Sequence, residues 1–111
     1  MLVLGIDPGI AVGKPIAMAV VDTEGPEVLW WCGHAMGKRG VLSRYVDWID
    51  SLHFAILADK DCRPGLVAIE QARGPGGSAH ALQTLVQILC EECEALGIPW
   101  VLVHNLSLIH I

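Results

Sequence analysis

An α/β domain built on a mixed five-stranded sheet, with elements in the order βββαβαβ, is what this sequence predicts. Three observations carry the prediction. Short apolar runs end on turn signals. Two longer stretches repeat their apolar residues at intervals of three and four. Those two stretches alternate with the later runs but not with the first three.

The first run, Leu2 to Ile6, stops at Asp7-Pro8-Gly9, a buried strand ended by a turn. Ile16 to Val21 is rich in branched residues and closes at Asp22-Thr23-Glu24-Gly25-Pro26. Val28 to Cys32 closes near Gly33. Three strands joined by short connections predict an antiparallel meander. The period then changes. Leu42, Tyr45, Ile49, Leu52 and Ile56 form the apolar stripe of a helix over Val41–Leu57, with Ser43, Asp47 and Asp50 on its other side. Lys60 to Gly65 reads as a loop, and Leu66 to Ile69 as a fourth strand that ends at Glu70.

A glycine-rich loop, Arg73-Gly74-Pro75-Gly76-Gly77, leads to Ser78 as the N-cap of a second helix. Its stripe is Leu82, Leu85, Val86, Leu89, Cys93 and Leu96, with Gln87, Glu91 and Glu94 facing away. Gly97 ends it, and Ile98 to Val103 is the fifth strand. Strands 1, 4 and 5 are separated by helices, so they are expected to run parallel through right-handed crossovers.

A chain of 111 residues, 53% hydrophobic and with mean hydropathy +0.51, can fill one core and no more. It has no apolar run long enough to span a membrane and no basic, apolar leader at its start, so a cytoplasmic location is expected. There the four cysteines, Cys32, Cys62, Cys90 and Cys93, are expected to be reduced. Cys90 and Cys93 have the spacing of half a zinc site. No second pair with metal spacing follows, and the segment reads as mid-helix, so they are expected to be core thiols. The net charge of −5 argues against a simple nucleic-acid-binding surface. A metal-dependent nuclease partly escapes that objection, because bound cations neutralise its carboxylates.

Two acids stand out. Asp7 and Glu70 each follow a short apolar strand. Neighbouring parallel strands would bring both to the carboxyl edge of the sheet, where open α/β sheets bind their ligands. Two carboxylates held together repel unless a cation lies between them. The pair therefore points to a divalent metal with oxygen ligands, most simply Mg²⁺. Taken singly, Asp7 also reads as a turn former and Glu70 as a solvated strand end.

Gly5-Ile6-Asp7-Pro8-Gly9, followed by an Ala-rich strand, resembles the first motif of RuvC-type Holliday-junction resolvases. Val67-Ala68-Ile69-Glu70-Gln71 resembles their second. The glycine-rich loop, the second helix and Ala95-Leu96-Gly97-Ile98-Pro99 extend the resemblance over roughly Leu2 to Val103. It implies an RNase H-like (retroviral-integrase-like) fold and an endodeoxyribonuclease acting in DNA recombination and repair. It also implies a homodimer that nicks two strands of a four-way junction symmetrically. Two ions, Mg²⁺ or Mn²⁺, would be held by four carboxylates, of which Asp7 matches the first and Glu70 the second. One ion would serve the attacking water and the other the leaving oxygen.

The family's third and fourth acids lie on a later C-terminal helix, which is missing from this chain. Residues 1–104 are accordingly expected to form an incomplete RuvC-type nuclease domain, and 105–111 a non-native tail. Glu91, Glu92 and Glu94 are mid-helix and do not stand in for the missing acids; a solvated face is expected of them. Gly13-Lys14-Pro15 looks inserted in the first turn.

Other positions stay open. Gly74, Gly76 and Gly77 before a helix suit a DNA phosphate or an ordinary loop, and Arg73 beside them suits a backbone contact. Lys38-Arg39 reads as a solvated turn before it reads as a DNA contact. Gln71 either supports the Glu70 carboxylate or points into the site. Of Trp30 and Trp31 one faces inward and one outward. The five histidines show no metal spacing. Three rival functions remain: a non-catalytic fragment binding DNA or a partner, a YqgF-type RNA-processing nuclease, and an actin-like sugar kinase. Against the last, Pro8-Gly9-Ile10-Ala11 lacks the hydroxyl such kinases place at their first phosphate turn.

Overall fold

A computed structural model describes residues 1–9, 15–25, 28–35, 40–71 and 79–104. Five strands form one sheet in the order β3-β2-β1-β4-β5: β1 Leu2–Asp7, β2 Pro15–Asp22, β3 Val28–Ala35, β4 Leu66–Glu70 and β5 Trp100–Val103. Helix α1 spans Val41–Leu57 and helix α2 spans Ala79–Ala95. β1 pairs antiparallel with β2, and β2 with β3, whereas β1–β4 and β4–β5 are parallel.

This topology dictates where the helices lie. β3 is antiparallel to β2 and therefore parallel to β1 and β4. The connection β3–α1–β4 crosses the sheet in one direction, and β4–α2–β5 continues the same way. Right-handed crossovers moving in one direction place both helices on one face. The core agrees. Leu4, Ile6, Ile16, Met18, Val20, Val67 and Ile69 from that face form one cluster with Trp48, Leu52 and Ile56 of α1 and Leu85, Leu89 and Cys93 of α2. Each large side chain so buried contributes about 1.5–3 kcal/mol.

α1 has the bounds that the periodicity predicts, but its stripe is turned. The buried residues are Trp48, Leu52 and Ile56, with Tyr45 packed beside them, while Leu42 is 74% exposed. At roughly 100° per residue, Leu42 lies about 80° from the centre of the buried arc and Ile49 about 60°. Ile49 is accordingly half-buried and Leu42 looks outward. Asp47, expected on the outer side, is also half-buried.

α2 buries Leu85, Val86, Leu89, Cys90 and Cys93 and exposes Gln87, Glu91 and Glu94, as its pattern predicts. Its end is a Schellman motif. Gly97 takes φ +71°, its N–H donates to the Glu94 carbonyl, and Ile98 N–H donates to the Cys93 carbonyl. Ile98 and Cys93 are both buried in the core, the apolar contact that accompanies this cap.

The predicted fifth strand begins two residues early, because Ile98 is spent on the cap and Pro99 has no N–H for the ladder. The Pro99 carbonyl still accepts from Val67 N–H at 2.9 Å. β3 runs past Cys32 to Ala35, since Gly33 keeps its place opposite Ala17. The loop after α1 contains a single 3₁₀ turn, Lys60–Cys62, capped by Asp59 accepting from Asp61 N–H at 2.9 Å. Among the described residues no helix is long and apolar enough to cross a membrane.

Candidate metal centre

Successive residues of a strand point to opposite faces of the sheet. Ile6 and Ile69 are direct neighbours in register and both lie in the helix-covered core. The next residues, Asp7 and Glu70, therefore fall together on the other face, at the carboxyl ends of adjacent parallel strands. The juxtaposition expected from the sequence is what the register produces. On that face their neighbours are small. Ala17 lies opposite Asp7, and Gly5 is flanked by Ala19 and Ala68.

The two acids are held differently. Glu70 is half-buried and paired with Val103 of β5. Gln71 N–H donates to the Val103 carbonyl at 2.8 Å, which carries the ladder one residue past the acid. The main chain of Gln71 thus fixes the Glu70 strand end, while its side chain is exposed. Asp7 is exposed, and its strand ends there at Pro8-Gly9. The Gly9 carbonyl accepts a 2.6 Å hydrogen bond from Trp48 Nε1, on the fully buried side chain of α1.

Two carboxylates suit one hydrated Mg²⁺, which keeps several waters and usually takes only one or two protein carboxylates besides substrate phosphate oxygens. The described residues contain no group of three or more His, Cys, Asp or Glu placed to hold a metal. Ligands for a second ion are thus not among them. Cys90 and Cys93 are buried free thiols. Burial, then the proximity of Cys90 and Glu92, pushes Cys93 up to about 12. Burial, then Glu94 and Glu91, raises Cys90. Both are protonated at neutral pH, the form that packs in a core and not the form that ligates a metal.

Glu92 corrects an expectation. Glu91 and Glu94 are solvated, but Glu92 is half-buried and its Oε2 lies 2.8 Å from His53 Nε2, tying α2 to α1. The Tyr45 hydroxyl makes a second tie between these helices, donating to the Ala81 carbonyl at 3.1 Å. The sequence reading left all three of these polar residues without a partner.

Arg73, Gly74, Gly76, Gly77 and Ser78 lie outside the described residues, as do Gly13, Lys14, Lys38, Arg39 and the tail 105–111. The inward or outward facing of Trp30 and Trp31 also falls outside what is described.

No family model and no curated protein matches the chain by sequence. Solved structures do match it by shape. RuvC from Thermus thermophilus in complex with a Holliday junction substrate superposes with a TM-score of 0.77 at 18% identity, over 95% of this chain and 65% of that one. The structure of Thermus thermophilus RuvC gives 0.70 at 19% identity, over 94% and 62%. This chain therefore spans just under two-thirds of the RuvC chains it matches. The ROK hexokinase of Thermus thermophilus is also similar, with a TM-score of 0.60 at 22% identity over 95% of this chain and 34% of that one. Argonaute from Marinitoga piezophila, in complex with a 5′ OH guide RNA, gives 0.59 at 17% identity, over 93% and 16%. At such identities the likeness is one of architecture, and the architecture is the RNase H-like fold.

Proposed function

We propose that this chain carries the metal-binding core of a structure-specific endodeoxyribonuclease that cuts four-way DNA junctions by paired nicking, in recombination and repair. The observation that carries the reading is the placing of Asp7 and Glu70 on one face, at the ends of adjacent parallel strands. Both sit in motifs that resemble the RuvC type, and the RuvC neighbour is itself bound to a Holliday junction substrate.

A divalent ion, Mg²⁺ or Mn²⁺, supplies Lewis-acid charge to the phosphate group undergoing hydrolysis. The chain's own residues do the rest. Asp7 and Glu70 present carboxylate oxygens as ligands, and the β4–β5 ladder keeps Glu70 from swinging away. Arg73 and the amides of Gly74, Gly76 and Gly77 contact the DNA backbone. A second copy of the chain supplies the symmetric cut, and further carboxylates complete a two-ion site. The reading of 1–104 as a nuclease domain, with 105–111 as an appended tail, and the cytoplasmic location belong to the same proposal.

The hexokinase likeness shows that this fold also serves phosphoryl transfer. Residues separate the two readings. A kinase phosphate turn after β1 needs a hydroxyl, and Pro8-Gly9-Ile10-Ala11 has none.

The test is a labelled synthetic four-way junction incubated with the chain in Mg²⁺ or in EDTA, beside Asp7→Asn. Symmetric nicks that need Mg²⁺ and vanish in the variant are expected. Metal-dependent junction binding without cutting would restrict the proposal to a binding domain. Neither binding nor cutting would reject it.

A further inference from the structure

The buried indole of Trp48 reaches out of the core to a single backbone atom beside the acidic pair. Trp48 is fully buried on α1, and a buried indole N–H requires an acceptor. Its acceptor is the Gly9 carbonyl at 2.6 Å, 39 residues away in sequence and two residues after Asp7. Pro8, between them, has no N–H to anchor the turn and a fixed φ, so a shift at Gly9 is passed stiffly to Asp7. Glu70, by contrast, has ladder bonds through Val103.

We propose that Trp48 is the positioning residue for Asp7. By clamping the Gly9 carbonyl, its indole N–H fixes the turn that aims the Asp7 carboxylate at the divalent ion. The inference rests on Asp7 being a metal ligand. Trp48 touches neither ion nor substrate. It acts on metal affinity through the main chain, as groups that orient metal ligands do. Core residues that merely fill volume, such as Leu52 and Ile56 on the same helix, make no such bond.

The experiment uses the full chain, ¹⁵N-labelled, with its tryptophan indole resonances assigned. Mg²⁺ is titrated into the wild type and into Asp7→Asn. Mn²⁺ affinity is measured by electron paramagnetic resonance for the wild type, Asp7→Asn and Trp48→Phe, and melting is followed in EDTA. The wild-type Trp48 indole resonance is expected to move with Mg²⁺, and that of Asp7→Asn to stay still. Trp48→Phe, which keeps an aromatic ring but has no N–H, is expected to remain folded and to lose about tenfold in Mn²⁺ affinity.

A folded Trp48→Phe with wild-type affinity would overturn the positioning role while leaving Asp7 as a ligand. So would an unmoved indole resonance in a wild type that binds the ion. Equal Mn²⁺ binding by wild type and Asp7→Asn would instead reject the metal reading itself, and the inference with it. Should Trp48→Phe fail to fold, the wild-type titration decides alone, because it needs no substitution.

Discussion

The two faces of the sheet are built from alternate residues of the same strands, and they are built for different ends. The helix-covered face carries Leu4, Ile6, Ile16, Met18, Val20, Val67 and Ile69, large side chains closed over by α1 and α2. The other face carries Gly5, Ala17, Ala19 and Ala68, and at its edge Asp7 and Glu70. One residue step, from Ile6 to Asp7 or from Ile69 to Glu70, passes from packing to chemistry. Stability and function are therefore separable in this chain by parity along a strand, even though the residues concerned are adjacent.

The sharpest way to break that contrast is to truncate Ile6 and neutralise Asp7 in separate variants. Ile6→Ala leaves a cavity between the sheet and the helices and is expected to cost about 2–5 kcal/mol in urea unfolding. Asp7→Asn is expected to leave the urea midpoint near that of the wild type, because the side chain is exposed. A large loss of stability in Asp7→Asn would show that the acid edge is part of the structural core after all.

That separation is also why so much was readable in advance. Strands were legible because their alternate positions are uniformly apolar on the covered face and end on turn residues. The acids were legible because they interrupt that pattern at matched points. Gly97 was legible as a helix stop because its role is local. What stayed hidden depends on distant parts of the chain. The phase of the α1 stripe follows from how the helix lies on the sheet, so Leu42 was counted in and Trp48 was passed over. The bonds from Trp48 to Gly9, from Tyr45 to Ala81 and between His53 and Glu92 join residues 36 to 39 apart, and no local pattern announces them.

The thiols of α2 give a second prediction, one of pH. Cys93 belongs wholly to the packing side. Its folded value of about 12 lies above the ordinary 9.0, so the folded chain keeps a proton that the unfolded chain gives up. The resulting stability is fully present below about pH 9 and is lost as pH rises toward about 12. Urea midpoints between pH 8 and 11 are expected to fall less steeply in Cys93→Ala than in the wild type. With Cys32 and Cys62 replaced by serine, a thiol reagent at neutral pH is expected to label Cys90 and Cys93 only in denaturant. Rapid labelling of the native chain would refute their burial.

Two smaller effects sharpen the picture of the helix layer. Gly97→Ala meets no neighbouring atom but must adopt φ +71°, so a loss of about 1–2 kcal/mol is expected from backbone strain alone. His53→Ala removes a half-exposed tie between α1 and α2, and screening by solvent limits the expected loss to about 0–1 kcal/mol. A larger cost at His53 than at Gly97 would mean that the helices are held together by this pair more than by the core beneath it.

The central claim is that Asp7 and Glu70 act together on one divalent ion, and a double-mutant cycle on Mn²⁺ affinity tests it most directly. Binding would be measured for the wild type, Asp7→Asn, Glu70→Gln and the double variant, all shown to be folded. If the two carboxylates share an ion, each single variant is expected to lose nearly as much affinity as the double. Losses that simply add, or binding that survives in the double variant, would contradict the claim and leave the two acids as unrelated strand ends.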